Sequence, residues 1–171
     1  MNPLCVTATT CDESDLGSRN ISNLKELGVD HIQFSPKPNI RRKLNRLGLI
    51  EVGDISWPEH VGLFTIPFKV AVSFGINLLI YGENSQNEYG GPDKAARATD
   101  LDRRWLEEFG GMRVSDLADA YGIPKRDLTA YEYPSASQLL QYAVKGLFLG
   151  QFFPWDGFEN FQVARESGFE G

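Results

Sequence analysis

The segment Gly82-Glu83-Asn84-Ser85-Gln86-Asn87-Glu88-Tyr89-Gly90-Gly91 is the most concentrated polar stretch of the chain. Glu83 and Glu88 could hold a hard cation or move a proton, because ionised carboxylates supply oxygen ligands and accept protons. Asn84, Gln86 and Asn87 add donors and acceptors suited to sugar hydroxyls. The same composition also suits a solvated turn. A second group, Trp57, Glu59 and His60, joins an aromatic wall to the one side chain type whose charge ordinarily changes near neutral pH. Its alternative is a loop whose indole packs into the core. A third group, Phe152, Phe153, Pro154, Trp155 and Asp156, offers aromatic faces to a sugar or base, or to the core or a partner.

Asp12, Glu13 and Asp15 could contact a ribose or a metal ion, or decorate a surface turn. Cys11 as a nucleophile needs an activating neighbour, and neither histidine lies near it in sequence. Cys5, Cys11, His31 and His60 match the count of a four-ligand zinc site, but no CxxC or HxxxH pair brings two of them together locally. The one dense basic run, Arg41, Arg42, Lys43 and Arg46, is a solvated helix face or a contact for phosphate or a sugar nucleotide.

The elements that position these groups alternate in type. Leu4 to Thr9 is β-branched and apolar and reads as a buried strand, followed by a polar loop from Cys11 to Ser18. Ile21, Leu24 and Leu27 repeat at helical spacing from Arg19 to Leu27, with Ser18 as cap and Gly28 past the end. Val29 to Phe34 is a second strand, closed by Ser35-Pro36. A helix follows over Asn39 to Leu47. Periodicity is lost from Ile50 to Phe64, which reads as a loop crowded with Asp54, Ser56, Trp57, Pro58, Glu59 and His60. Pro67 to Phe74 is then a helix with proline in its first turn. Asn77 to Tyr81 is a strand, Leu101 to Phe109 a helix, and Ser115 to Tyr121 another. Ser135 or Ser137 starts one more, Val144 to Leu149 is a fourth strand, and Phe158 to Ser167 a last helix. Strands separated by helices predict an α/β three-layer sandwich with a mainly parallel sheet, formed by residues 1–171 as one domain. In such a sheet the loops after the strands gather on one edge, where ligands bind.

Composition narrows the function. The chain has 171 residues, 42% of them hydrophobic, and a net charge of -6, which argues against a general grip on nucleic acid. No apolar run approaches membrane-spanning length and no secretory signal is visible, so the expectation is a cytoplasmic protein with reduced thiols.

Several longer words occur in series: Cys11-Asp12-Glu13-Ser14-Asp15-Leu16-Gly17, GVDHIQFSP at Gly28 to Pro36, RRKLNRLGL at Arg41 to Leu49, GDISWPEH at Gly53 to His60, GENSQNEYGG at Gly82 to Gly91 and FPWDG at Phe153 to Gly157. Together they resemble the bacterial N-acetyl sugar amidotransferases, which include enzymes of lipopolysaccharide O-antigen synthesis and of pseudaminic-acid amidination. The resemblance implies the PP-loop ATP pyrophosphatase fold (adenine nucleotide alpha hydrolase-like). It also implies a reaction in which the N-acetyl group of a nucleotide-linked sugar becomes an acetamidino group, with ATP and Mg2+ as cofactors and ammonia from a separate glutaminase subunit. For the intact activity that the resemblance implies, Glu83, Glu88 and His60 are the catalytic candidates. Asn84, Gln86, Trp57 and Trp155 fall on the substrate side, Thr9, Asp12 and Gly82 on the nucleotide side, and Glu83 and Glu88 are the candidate metal ligands.

One departure stands out. The family's SGGxDS loop, whose backbone N–H groups cradle pyrophosphate, occurs nowhere in these 171 residues. In the family it follows the sheet's central strand. Its loss predicts an incomplete fold, two strand pairs facing an unfilled slot, and a fragment inactive by itself. Open edges of that kind invite a second chain to complete the sheet, so a non-catalytic assembly module is the alternative.

Overall fold

A computed structural model describes residues 3–9, 13–82 and 114–171. They form two compact units, one of residues 1–35 and 153–171 and the other of residues 36–152.

In the first unit, β1 (Leu4–Ala8) and β2 (Asp30–Phe34) pair in parallel, with α1 (Asp15–Glu26) between them in sequence. The register sets Leu4 opposite Asp30, Val6 opposite Ile32 and Ala8 opposite Phe34, so the alternate positions Cys5, Thr7, His31 and Gln33 share the other face. α1 begins earlier than its apolar spacing predicts. Ser14, not Ser18, is the cap, accepting from the Gly17 amide at 3.1 Å. Part of the expected loop is therefore helical. A last helix of the chain, Gly157–Glu166, starts where the Asp156 carboxylate accepts from the amides of Phe158 and Glu159, both at 2.9 Å.

The tail beyond that helix is held to α1 by side chains. The Asn20 amide group donates to the Glu170 carbonyl and accepts from the Glu170 N–H, each at 2.9 Å, as a neighbouring strand would. Asn23 donates to the Ser167 carbonyl at 2.8 Å, and the Arg19 guanidinium meets the Glu170 carboxylate at 2.8 Å. That ion pair holds the Glu170 carboxyl below its ordinary range, first through the hydrogen bond and then through charge. No described residue of this unit is fully buried, so its core is thin and these tail contacts matter to it.

The second unit is built on one long helix. α2 (Pro38–Leu47) runs into a π-helical turn, Gly48–Val52, and then α3 (Trp57–Phe74) begins. The expected loop over residues 50–64 is thus largely helix, and α3 starts ten residues before the predicted proline start. Pro58, not Pro67, occupies the first turn, where a missing N–H is harmless. Pro67 lies inside α3, at a cost of about 3 kcal/mol. The offset is burial: Trp57, Val61, Phe64 and Phe68 form a helical stripe into two core clusters. The first cluster adds Ile40, Leu44 and Leu47 of α2 with Ile123, Leu128 and Tyr131. The second adds Tyr81 and Phe148 from β3 (Leu78–Tyr81) and β4 (Lys145–Phe148).

β3 and β4 are again a parallel pair. Parallel pairing therefore holds throughout the described strands, in two separate two-stranded sheets, the two strand pairs expected when a central strand is missing. β3 buries Tyr81 and leaves Leu78 and Ile80 at 43% and 55% exposure on its other face. Between β3 and β4 come α4 (Val114–Tyr121), α5 (Lys125–Leu128) with a 3-10 turn over Thr129–Tyr131, and α6 (Ala136–Gln141), which Ser135 opens with a capping box. The last helix, Gly157–Glu166, is α7. The predicted helix at 101–109 lies outside the described residues.

Tyr131 gives the second unit a pH-dependent term. It is 4% exposed, and its hydroxyl has no hydrogen-bond partner among the described residues. Burial first, and then the Glu59 carboxylate, push its phenol up to about 12, with Arg41 acting in the opposite sense. The folded state thus keeps a proton that the unfolded chain releases near the ordinary value of about 10. Its contribution is intact below pH 10 and is lost as pH rises towards 12. Tyr131→Phe is expected to raise stability at pH 7 by about 1 kcal/mol, because it removes a buried, unpaired hydroxyl. It should also flatten the loss between pH 10 and 12. Urea titrations at pH 7 and pH 11 check both; equal pH sensitivity of the variant and the parent would count against the assignment.

Candidate functional site

The polar group best defined by geometry is built where α2 hands over to α3. Gly53, at φ +80°, turns the chain after the π-helical segment and delivers Asp54 to the start of α3. One carboxylate oxygen of Asp54, Oδ1, accepts from the Ser56 amide at 2.8 Å, an Asx turn that fixes the side chain. The other, Oδ2, lies 2.8 Å from Nδ1 of His60. Both side chains are partly exposed, 35% for Asp54 and 42% for His60. Glu59 faces α2, where the Asn45 amide donates to its Oε2 at 2.7 Å and to the Ile55 carbonyl at 2.7 Å. Asn45 thus ties the turn to the helix before it. The arrangement presents an oriented imidazole at the surface, the pattern used for proton transfer.

The first unit has a second polar cluster, at the carboxyl end of its strand pair. Thr9 Oγ1 accepts from Gln33 Nε2 at 3.2 Å and from Ser35 Oγ at 3.3 Å, and Gln33 also meets the Glu13 carboxylate. Behind it Thr7 Oγ1 and His31 Nε2 are 2.9 Å apart. Ligand-binding residues of parallel sheets collect at such strand ends.

Of the residues singled out from the sequence, Glu59 and His60 fall in the first of these clusters and Thr9 and Glu13 in the second. Trp57 does not line a substrate wall. It is 2% exposed among the apolar side chains of α2, because the first turn of α3 faces inward there. Trp155 is the reverse case, 65% exposed beside Phe153 at 63%, so its aromatic face is open rather than packed in a core. Gly82 follows β3, is exposed, and would accommodate a Cβ with nothing within 4 Å. Glu83, Asn84, Gln86, Glu88 and Asp12 lie outside the described residues, as does Cys11. Among the described residues no three His, Cys, Asp or Glu side chains converge as a cation site.

The basic run is spread around α2. Arg42 Nε reaches back to the Pro38 carbonyl at 3.4 Å, and Lys43 Nζ donates to the Tyr121 carbonyl at 2.8 Å. Arg46 is exposed, and Arg41 is half-buried on the flank shared with Asn45. Three of the four cations therefore point to solvent or to backbone carbonyls.

No protein-family model matches this chain, and no curated protein does. No helix among the described residues is long and apolar enough to cross a membrane. Asn45 and Gln33 are site residues the sequence did not single out, and Asp54 enters there only as one of the polar residues of the expected loop. For Gln33 a signal existed: Cys5, Thr7 and Thr9, and likewise His31, Gln33 and Ser35, alternate with apolar neighbours at the period of a strand.

Proposed function

We propose that this chain serves an ATP-dependent amidotransferase of bacterial surface polysaccharide synthesis, which converts the N-acetyl group of a nucleotide-linked sugar to an acetamidino group. What supports this most is the Asp54–His60 pair, which sits inside the word GDISWPEH and presents an oriented imidazole. The two parallel strand pairs are compatible with parts of a PP-loop sheet.

The chemistry asks for such a group. ATP, when bound, would supply the adenylyl group, with pyrophosphate leaving, that turns the acetamido oxygen into a leaving group. Ammonia from a glutaminase partner adds to the same carbon, AMP departs with the oxygen, and the new nitrogen sheds a proton. His60 is assigned that proton.

Binding tests the substrate class directly. Calorimetry with a nucleotide-linked N-acetyl sugar and its N-deacetylated counterpart should show at least a tenfold preference for the former, about 1.4 kcal/mol. Equal affinity for the two sugars, or none for either, would sink the proposal.

A further inference from the structure

The structure assigns Asp54 as the positioning residue of the site, the group that fixes the proton of a neutral His60 ring on Nδ1 and makes Nε2 the atom that exchanges protons with substrate. This role rests on the reaction proposed above, but the tautomer itself does not. Of the two carboxylates in the segment Gly53 to His60, Asp54 is the one that meets the imidazole. Glu59 is adjacent in sequence but is taken by Asn45 at 2.7 Å. Asp54, six residues away, places Oδ2 at 2.8 Å from Nδ1. A carboxylate can only accept, so the ring nitrogen facing it must carry the hydrogen.

The orientation of Asp54 is itself fixed from two sides. Its Oδ1 is engaged by the Ser56 N–H at 2.8 Å, and its backbone N–H donates to the Gly48 carbonyl at 3.1 Å. The carboxylate therefore cannot swing away without breaking the turn that starts α3. An imidazole held in this way keeps one tautomer before substrate arrives, which is how a second-row carboxylate raises the efficiency of a histidine base.

Asp54→Asn makes a sharp test because the two oxygens of Asp54 do different work. An asparagine has one side-chain oxygen, and the Ser56 N–H claims it. The amide nitrogen then faces His60 and must donate, so Nδ1 becomes an acceptor and the ring proton moves to Nε2. Long-range 1H–15N spectra of the labelled full chain at a pH where His60 is neutral read this directly. The parent is expected to show the Nδ1–H tautomer and Asp54→Asn the Nε2–H tautomer, with circular dichroism unchanged. A parent ring protonated at Nε2 overturns the assignment however the variant folds. The two proposals fail separately. An Nδ1–H ring in a chain that does not prefer the N-acetylated sugar leaves the pairing intact and removes the proposed reaction, whereas that preference in a chain with an Nε2–H ring does the opposite.

Discussion

Trp57→Ala is expected to cost the second unit about 3–5 kcal/mol, whereas Trp155→Ala should change stability by less than about 0.5 kcal/mol. The residue type is the same and the surroundings are opposite. Trp57 is 2% exposed and touches both α2 and the segment that carries Ile123, Leu128 and Tyr131. Removing the indole leaves a cavity bounded by helices that cannot all collapse onto it, so the loss includes a cavity term besides the transfer term. Set against a total stability of about 5–15 kcal/mol for a domain, that is a large fraction. Trp155 is 65% exposed, and its truncation exposes nothing new. Urea midpoints for both variants decide it. If Trp57→Ala moved the midpoint no further than Trp155→Ala, the assignment of Trp57 to the core would fail. If Trp155→Ala instead weakened sugar binding at constant stability, the aromatic face beside α7 would gain a role that its exposure permits.

The contrast between these tryptophans shows what sequence could and could not supply. Each sits in an aromatic, proline-containing word, and nothing local says which one faces inward; the partner surface on α2 decides. Elements whose signals are local were legible. Gly28 at φ +83° and Gly75 at φ +67° end α1 and α3 as their positions predict, and the four strands lie within about one residue of their expected bounds. Of the two serines expected to start the next helix, Ser135 rather than Ser137 caps it.

The start of α3 was not legible because two prolines competed for the same role. Pro67 follows an apolar run and looks like a first-turn proline, yet it is buried inside the helix, where tertiary packing outweighs its lost hydrogen bond. The mistake hid the site. With residues 50–64 read as a loop, Asp54 and His60 are two polar residues among several. With α3 starting at Trp57, an Asx turn and one helical turn bring the two side chains to 2.8 Å. Which strands pair is a long-range matter that no local pattern encodes: the parallel sense of each pair followed from the alternation of strand and helix, and the division into two pairs from the central strand that the resemblance implies and these residues lack.

Gly48→Ala should be the most damaging small substitution near the site, at about 3 kcal/mol, the upper part of the range for overpacking. Gly48 has φ -55°, so an L-residue would adopt its backbone without strain, and in a helical turn alanine is ordinarily preferred by about 1 kcal/mol. Space decides the sign instead. A Cβ there would lie 2.4 Å from the Asp54 carbonyl oxygen and 2.7 Å from Cβ of Trp57. Neither is the free end of a flexible side chain. The Asp54 backbone is fastened back to Gly48 by its own N–H, and Trp57 is wedged in the core. Relief therefore requires the 53–57 turn to move, which separates Asp54 from His60. Gly82→Ala is the control, because a Cβ at that position meets nothing within 4 Å. Thermal melts should show a large loss for Gly48→Ala and almost none for Gly82→Ala. Ring 15N shifts of His60 should move only in the former. A Gly48→Ala chain with parental stability and an unaltered His60 ring would mean that the turn is looser than its contacts indicate. The close packing that holds the proton-transfer pair would then have to be abandoned along with the role given to Asp54.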